Sequence, residues 1–255
     1  MVIIMPTDLK VRPWRCWQSV AGAALLGFSL ASSGATFSVS PVRIYMQSRD
    51  RATAVTVENE GDTEVVMQGE VFQWTQKADG TDELTPTDDV ILAPPILKVA
   101  PKSRQVLRLA NLKPVPPGEQ LTYRMIVREV PEAAQPKEGV QVQVSLAFSL
   151  PIFITPPGAK QRLLCEAKRA TPDLLVATCE NQGDAYAQPV NFAVRAASGS
   201  VLLSQDVSGG YILPKMRRRF ELKQPANGPA LNGAAKFAVT QDDGSVQLFD
   251  VAVSD

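Results

Sequence analysis

Cysteine and histidine set the limits on the chemistry that this chain can perform. Its 255 residues include three cysteines and no histidine, which removes Ser-His-Asp and Cys-His catalysis, histidine-ligated zinc and histidine general bases. Two cysteines cannot complete a closed zinc site alone. An exported carboxylate-dependent hydrolase would need two converging acidic residues, and no spacing of acidic residues in the sequence points to such a pair. We therefore expect no catalytic residue, no cofactor, no metal and no small-molecule substrate, and a carboxylate-only enzyme is the alternative that composition leaves open.

The N-terminal residues predict export. A basic segment that ends at Arg15 precedes an apolar run over 20–31 that is too short to span a bilayer, and Ser33 and Ala35 have the small side chains that signal peptidase requires. We expect residues 1–35 to be a signal peptide. Cys16 lies inside this segment, so it would have no role in the mature protein.

The other two cysteines are Cys165 and Cys179. An even number of cysteines in an exported chain predicts a disulfide, and a loop of about 15 residues closed in this way would gain roughly 3 kcal/mol. The alternative is a pair of reduced, buried thiols.

The charge balance limits the class of partner. The chain has 26 basic and 26 acidic residues and a formal net charge of zero. Because this leaves no basic excess, nucleic acid is not the expected partner.

One segment has a pattern that could bind another chain. Val140, Val142, Val144 and Leu146 share one face of an extended strand, and glutamine and serine residues alternate with them on the other face. At the edge of a sheet, such an apolar row is a hazard unless another chain pairs with it. The alternative is an ordinary sandwich strand with one solvated face.

Strand signals dominate the rest of the chain, because Val, Thr, Phe and Tyr runs are separated by Gly, Pro, Asp and Asn clusters. The predicted class is all-β, with two immunoglobulin-like β-sandwich domains over 36–157 and 158–255, divided at Pro156-Pro157. The predicted strands lie near 37–46, 52–59, 65–75, 96–100, 104–110, 120–129, 139–150, 162–168, 174–180, 189–196, 200–206, 217–222, 235–240 and 246–252.

Several motifs resemble the periplasmic chaperones of the chaperone–usher pilus pathway. They are Ser40-Pro41-Val42-Arg43, Asn59-Glu60-Gly61-Asp62, Ala93-Pro94-Pro95, Val99-Ala100-Pro101-Lys102, Val106-Leu107-Arg108-Leu109, and Tyr123 followed by Arg128-Glu129-Val130-Pro131 before the long alternating strand. The ending Ser149-Leu150-Pro151-Ile152-Phe153 is similar to the archaic branch, which serves spore-coat-type pilins.

The resemblance implies a boomerang of two immunoglobulin-like domains at a hinge. Its seventh strand, here the one with Val140, Val142, Val144 and Leu146, would fill the groove of a pilin subunit that lacks its last strand. An outer-membrane usher would receive the subunit, and the free chaperone could cap its own edge as a homodimer. The other function considered is an exported structural or adhesive surface protein of two immunoglobulin-like domains.

The resemblance also implies a site for the subunit's C-terminal carboxylate. Arg43 aligns with the first-strand arginine of the family, and the alternative for it is a solvated strand arginine. The family's lysine on the seventh strand aligns with Pro151. Arg124, on the adjacent predicted strand, is the candidate substitute; the alternative is an interstrand arginine without a ligand. The arginine that most family members carry before the hinge proline is Thr155 here, so we expect the ion pair between the domains to differ.

Overall fold

A computed structural model describes residues 37–130, 145–208, 210–224, 228 and 233–253. The described residues form strands and turns and no helix, so none of them belongs to a helix able to cross a membrane. The strands are β1 Phe37–Ser40, β2 Ile44–Gln47, β3 Ala52–Asn59, β4 Val65–Gln76, β5 Asp82–Pro86, β6 Val90–Ala93, β7 Ile96–Val99, β8 Ser103–Asn111, β9 Leu121–Glu129, β10 Ala147–Thr155, β11 Leu163–Thr171, β12 Leu174–Asn181, β13 Pro189–Ala196, β14 Val201–Asp206, β15 Arg217–Lys223, β16 Gly233–Gln241 and β17 Val246–Val253.

These strands build two immunoglobulin-like β-sandwiches. In the first, a sheet in the order β1-β3-β8-β6 packs on a sheet in the order β2-β10-β9-β4-β5, in which β7 also pairs with β4. In the second, β11-β12-β15 packs on β14-β13-β16-β17. Each sandwich has its own buried apolar core, as expected where strands alternate inward apolar and outward polar residues. The predicted all-β class is therefore confirmed.

The first predicted strand is wrong in one respect. The sequence predicted a single strand over 37–46, but β1 and β2 belong to different sheets: β1 pairs antiparallel with β3, and β2 pairs parallel with β10. The chain crosses between the sheets at Pro41–Arg43, where Pro41 has no N–H to donate to a ladder. This crossing places Arg43 immediately before β2.

Two strands of the first sandwich were not predicted. The sequence of β5 is Asp-Glu-Leu-Thr-Pro, and all five residues are exposed. It therefore lacks the alternation of apolar and polar residues from which a strand is predicted. The four residues of β6 follow the Asp88–Asp89 turn and end against a proline pair. Both strands lie in the segment that the sequence predicts to be the connection between β4 and β7.

The last strand of the first sandwich ends later than predicted. The sequence predicted a strand over 139–150, of which 139–144 lie outside the described residues, and the structure places β10 at Ala147–Thr155. The strand continues through Pro151, which stands opposite Arg124 in the pairing with β9, whereas the pairing with β2 begins one residue later at Ile152. On the β2 side of Pro151 there is therefore no ladder for a missing N–H to interrupt.

The second sandwich contains the predicted disulfide. Cys165 of β11 and Cys179 of β12 stand directly opposite each other, with an S–S distance of 2.01 Å and a Cα–Cα distance of 4.1 Å. Both cysteines are buried in the core of this sandwich. The prediction of two bonded cysteines is therefore confirmed.

The two sandwiches pack against each other through a third apolar cluster and form one compact unit. Trp74 and Phe153 contribute from the first sandwich, and Tyr211 and Leu213 contribute from the second. Gln76 adds two buried hydrogen bonds. Its Nε2 donates to the Tyr211 carbonyl at 2.9 Å, and its Oε1 accepts from the Leu213 N–H at 2.9 Å. Because buried amides need partners, these bonds fix how β4 meets the second sandwich.

Candidate functional site: an open strand edge beside two arginines

One stretch of β10 has a strand partner on only one side. β10 pairs with β9 from Ala147 to Ile154, whereas β2 covers only Ile152–Thr155 on the other side. Within the described residues, the second edge of 147–151 therefore has no strand partner. The pairing with β9 also extends to Leu146, whose carbonyl accepts from the Glu129 N–H at 2.9 Å. An edge of this kind offers unpaired backbone groups to another strand.

The side chains beside this edge form a graded apolar row. Leu150 is buried, Phe148 is half-buried against Phe37 with ring centroids 5.2 Å apart, and Leu146 is 43% exposed. Because side chains alternate along a strand, the three share one face. The exposure of these side chains thus increases along the row from Leu150, in the core, to Leu146, at the surface.

The predicted partner-binding residues Val140, Val142 and Val144 lie outside the described residues.

Two arginines flank this strand on its other face. Arg124 of β9 stands directly opposite Pro151, and Arg43 precedes Ile44 as Pro151 precedes Ile152 in the parallel pairing. The guanidinium carbons of Arg124 and Arg43 lie 5.4 and 5.9 Å from the ring centroid of Tyr211. The structure thus brings both predicted arginines to one aromatic ring, at the inner end of the open edge.

Arg124 has no carboxylate partner among the described residues. Its guanidinium carbon stacks 3.8 Å above the Trp74 ring and its side chain is half-buried. Burial lowers its pKa, Asp82 and Tyr211 oppose that change, and nearby Arg218 adds to the lowering. Burial and a like charge both penalise a cation. A negative charge placed beside this guanidinium would offset both penalties.

Arg43 is paired. Its Nη1 donates to Oδ2 of Asp242 at 2.6 Å, with side-chain exposures of 34% and 15%. Burial alone would lower the pKa of Arg43, but Tyr45, Tyr211 and Asp242 together raise it above its ordinary value. This guanidinium is therefore charged, as arginine side chains in proteins are.

Several residues of the site were not found from the sequence. Asp242 is one of them: the sequence Asp242-Asp243-Gly244 is typical of a hairpin turn and gives no sign of a binding role, and Asp242 lies in the turn between β16 and β17. Five aromatic residues also line this region. Three lie on the outer face of the second sheet of the first sandwich and two lie in loops of the second sandwich: Tyr45, Trp74, Phe153, Tyr186 and Tyr211. Large aromatic residues on the outer face of a strand were the available signal, since such residues usually cover another surface.

No group of acidic or cysteine ligands within the described residues could hold a metal ion.

The comparisons with known proteins agree with this architecture. Residues 36–160 match the family described as the pili and flagellar-assembly chaperone, PapD N-terminal domain. The chaperone protein FimB/FhaD of Bordetella pertussis is 29% identical over 169 residues, which are 62% of this chain and 67% of the relative. The probable fimbrial chaperone LpfB of Escherichia coli O157:H7 is 26% identical over 124 residues, 48% of this chain and 50% of the relative. The matched segment thus spans two thirds of one relative and half of the other.

Solved structures show the same fold. A chain from the CsuC–CsuE chaperone–tip adhesion subunit pre-assembly complex of the archaic Csu pili of Acinetobacter baumannii has a TM-score of 0.63 and 21% identity, and the match covers 87% of this chain and 100% of that one. The CupB2 chaperone of Pseudomonas aeruginosa has a TM-score of 0.53 and 19% identity, covering 85% and 100%.

The two immunoglobulin-like sandwiches, with the pilus-chaperone family match over residues 36–160 of the first, indicate the class of pilus-assembly chaperones. The fimbrial relatives support the same class, a pilus chaperone of the chaperone–usher type.

Proposed function

We propose that this chain is a periplasmic, non-enzymatic chaperone that lends its last strand to an incomplete pilin subunit and delivers that subunit to an outer-membrane usher. The observation that carries the proposal is the free edge of β10 over 147–151, beside an apolar row that opens to solvent. Strand addition needs these two features together, because backbone bonds supply affinity and alternate side chains fill pockets.

The energetics support capture of an unfinished subunit. The row would comprise Val140, Val142, Val144 and Leu146, and full burial of such side chains contributes roughly 1.5–3 kcal/mol each before the cost of association. Phe148 and Leu150 anchor the base of the row in the chaperone's own core. A strand that is rigid at one end loses less entropy when it pairs.

The two arginines would set the register of the subunit. A terminal carboxylate has two oxygens, and Arg43 and Arg124 stand on either side of Pro151 at the end of the open edge. Arginine presents a planar fork suited to a carboxylate. We therefore propose that Arg124 replaces the basic residue that the family has at Pro151. The proline ending, and the similarity to the archaic Csu structure, favour the archaic branch.

The domain boundary is part of the same proposal. The two sandwiches would correspond to domains 36–157 and 158–255, with the signal peptide over 1–35. In the absence of a subunit, the free edge of β10 would pair with the same edge of a second copy.

Co-expression with a pilin subunit from the same gene cluster tests the proposal. Leu146→Asp, Val142→Asp and Val144→Asp should abolish recovery of the subunit on the tagged chaperone, since each places a charge in an apolar pocket. Leu248→Asp is the matched control, because Leu248 is 61% exposed on β17 of the second sandwich. It should leave recovery unchanged.

Normal recovery of subunit by all three row variants, with folding verified by thermal melting, would show that β10 is not the donated strand. Recovery lost equally in the Leu248→Asp control would mean that charge on the surface, and not the row, is responsible.

A further inference from the structure

The ion pair between Arg43 and Asp242 joins the two sandwiches at the carboxylate site. The two residues are 199 positions apart in sequence, and the Nη1–Oδ2 distance is 2.6 Å. We propose that Asp242 is a built-in competitor: in the empty chaperone its carboxylate occupies the Arg43 guanidinium that a partner's terminal carboxylate would use. This inference rests on the carboxylate-binding role proposed above for Arg43.

The two arginines of the site differ in what already satisfies them. Arg124 lies on aromatic rings and has no salt bridge among the described residues, although the charge of Asp82 acts on it, whereas Arg43 forms a salt bridge. An incoming carboxylate would therefore meet one arginine without a bound carboxylate and one that it must share with Asp242. Sharing brings two carboxylates to one guanidinium, and like charges at that separation repel.

Asp242 cannot easily withdraw from this contact. Its N–H donates to the Gln188 carbonyl at 3.0 Å, and its Oδ2 accepts from the Tyr186 hydroxyl at 3.3 Å. The Tyr186 hydroxyl is itself 2.8 Å from the Tyr45 hydroxyl on β2. Since backbone and aromatic contacts both hold Asp242, its negative charge stays near Arg43 when a ligand arrives.

Asp242 would have two effects in this arrangement. Without a subunit, it keeps Arg43 from standing beside Arg124 and Arg218 as an unpaired cation. With a subunit, it weakens capture, so that a carboxylate alone is not held and a long paired strand is also needed. Such a competitor would favour release of the subunit after strand pairing is lost.

A purely structural ion pair would behave differently in one measurable respect. Loss of a structural pair lowers stability but leaves the preference for a carboxylate over an amide unchanged. Loss of a competitor raises that preference.

The test compares two fluorescent ten-residue peptides of alternating valine and threonine, one ending in a free carboxylate and the other in an amide. Their dissociation constants are measured for the full chaperone and for Asp242→Asn, which keeps the shape and removes the charge. The carboxylate peptide should bind Asp242→Asn about three- to tenfold more tightly than wild type, and the amide peptide should not change. The gain should shrink as salt is raised, because the charges are partly exposed.

Asp243→Asn is the matched control, since Asp243 lies in the same turn and is exposed, with its carboxylate on the Ser245 N–H at 2.9 Å. It should change neither peptide's affinity. Asp242→Ser is tested beside Asp242→Asn, and thermal melting checks that each variant folds. An unchanged or weaker preference for the carboxylate in the folded Asp242 variants, or no binding of the carboxylate peptide to any of them, would overturn the inference.

The outcome is separable from that of the proposed function, which depends on recovery of a co-expressed subunit by variants of the apolar row. If the row variants lose the subunit and the Asp242 variants show no gain, only the competitor role fails. If the row variants keep the subunit, the donated strand fails whatever the peptides show.

Discussion

Gln120 donates a hydrogen bond from its Nε2 to Thr155 Oγ1 at 2.7 Å, at the end of the last strand of the first sandwich. The other end of the same amide, Oε1, accepts the Tyr186 N–H of the second sandwich at 2.8 Å. Gln120 is buried. A neutral relay therefore links the sandwiches at the position where the family resemblance implied an arginine. At Thr155 the sandwiches are thus linked by the hydrogen bonds of a neutral glutamine.

Removal of the two hydrogen bonds of Gln120 should lower the free energy of unfolding. Gln120→Ala leaves the Tyr186 N–H and the Thr155 hydroxyl without their partner, and unsatisfied buried groups cost about 1–3 kcal/mol. Urea denaturation should show a loss of this size. Gln105→Ala, on an exposed position of β8, is the control and should change the free energy of unfolding by less than about 0.5 kcal/mol. Equal losses in the two variants would contradict the role of the relay.

The disulfide should contribute a measurable part of the stability. Replacement of Cys165 and Cys179 together by alanine removes a cross-link with a sequence separation of 14, which should cost about 2–4 kcal/mol. Thermal or urea unfolding of both proteins, each without reductant, measures the difference. Reduction of the wild type should lower its stability similarly and leave the double variant unchanged; a variant as stable as the oxidised wild type would contradict this expectation.

Gly183 should not tolerate a side chain. A Cβ there would lie 2.2 Å from the Lys160 carbonyl oxygen and 2.6 Å from the Arg162 nitrogen, both of the backbone. Gly183→Ala must move that backbone, and we expect a loss of more than about 2 kcal/mol in urea denaturation.

Gly69→Ala is the informative comparison for Gly183. A Cβ at Gly69 would clash only with the flexible Leu92 side chain, which can change rotamer, and would make an ordinary contact with Leu107 at 4.0 Å. The loss there should be clearly smaller. If the alanine at Gly69 costs as much as the one at Gly183, contact with rigid backbone is not the deciding factor.

Alkaline pH should destabilise the contact between the sandwiches. Burial, with the hydrogen bond to Tyr45 and the charge of Asp242, raises the pKa of Tyr186 well above its ordinary value. A raised folded-state pKa contributes stability that is complete below the unfolded value of about 10 and is lost as pH rises above it. The free energy of unfolding should therefore fall as the pH rises above about 10. It should fall less steeply in the Tyr186→Phe variant than in the wild type. An identical slope in that variant would exclude Tyr186 as a source.

Arg124 should matter for subunit capture more than its neighbour on the same strand. Arg124→Ala should reduce recovery of a co-expressed pilin about tenfold or more, because a charge-assisted pair in a half-buried cleft is stronger than one at the surface. Arg128→Ala is the matched control, since Arg128 is exposed and pairs with Glu70 at 2.5 Å. It should have little effect.

Arg124→Lys should rescue capture only in part, since the planar fork is lost. Full capture by an Arg43→Ala, Arg124→Ala double variant would show that the subunit is registered by other contacts.

The sequence by itself determined the class, the disulfide and most strands. Apolar alternation and turn residues are local signals, so β12, β13 and the turn at Asp242–Gly244 could be predicted from short windows. The exposed strand β5 and the break between β1 and β2 could not, because β5 has no apolar period and the break depends on which sheet each half of the segment joins.

Only the tertiary structure decided how the site is composed. Arg43 could be placed by resemblance, but its pairing with Asp242 joins residues 199 positions apart, and no local pattern encodes such a contact. The position of Arg124 opposite Pro151 follows from the register of β9 and β10, where a slip of one residue would send the arginine to the other face. The sequence determines which side chains are available for binding. The register and packing of strands that are distant in sequence determine which of those side chains come together.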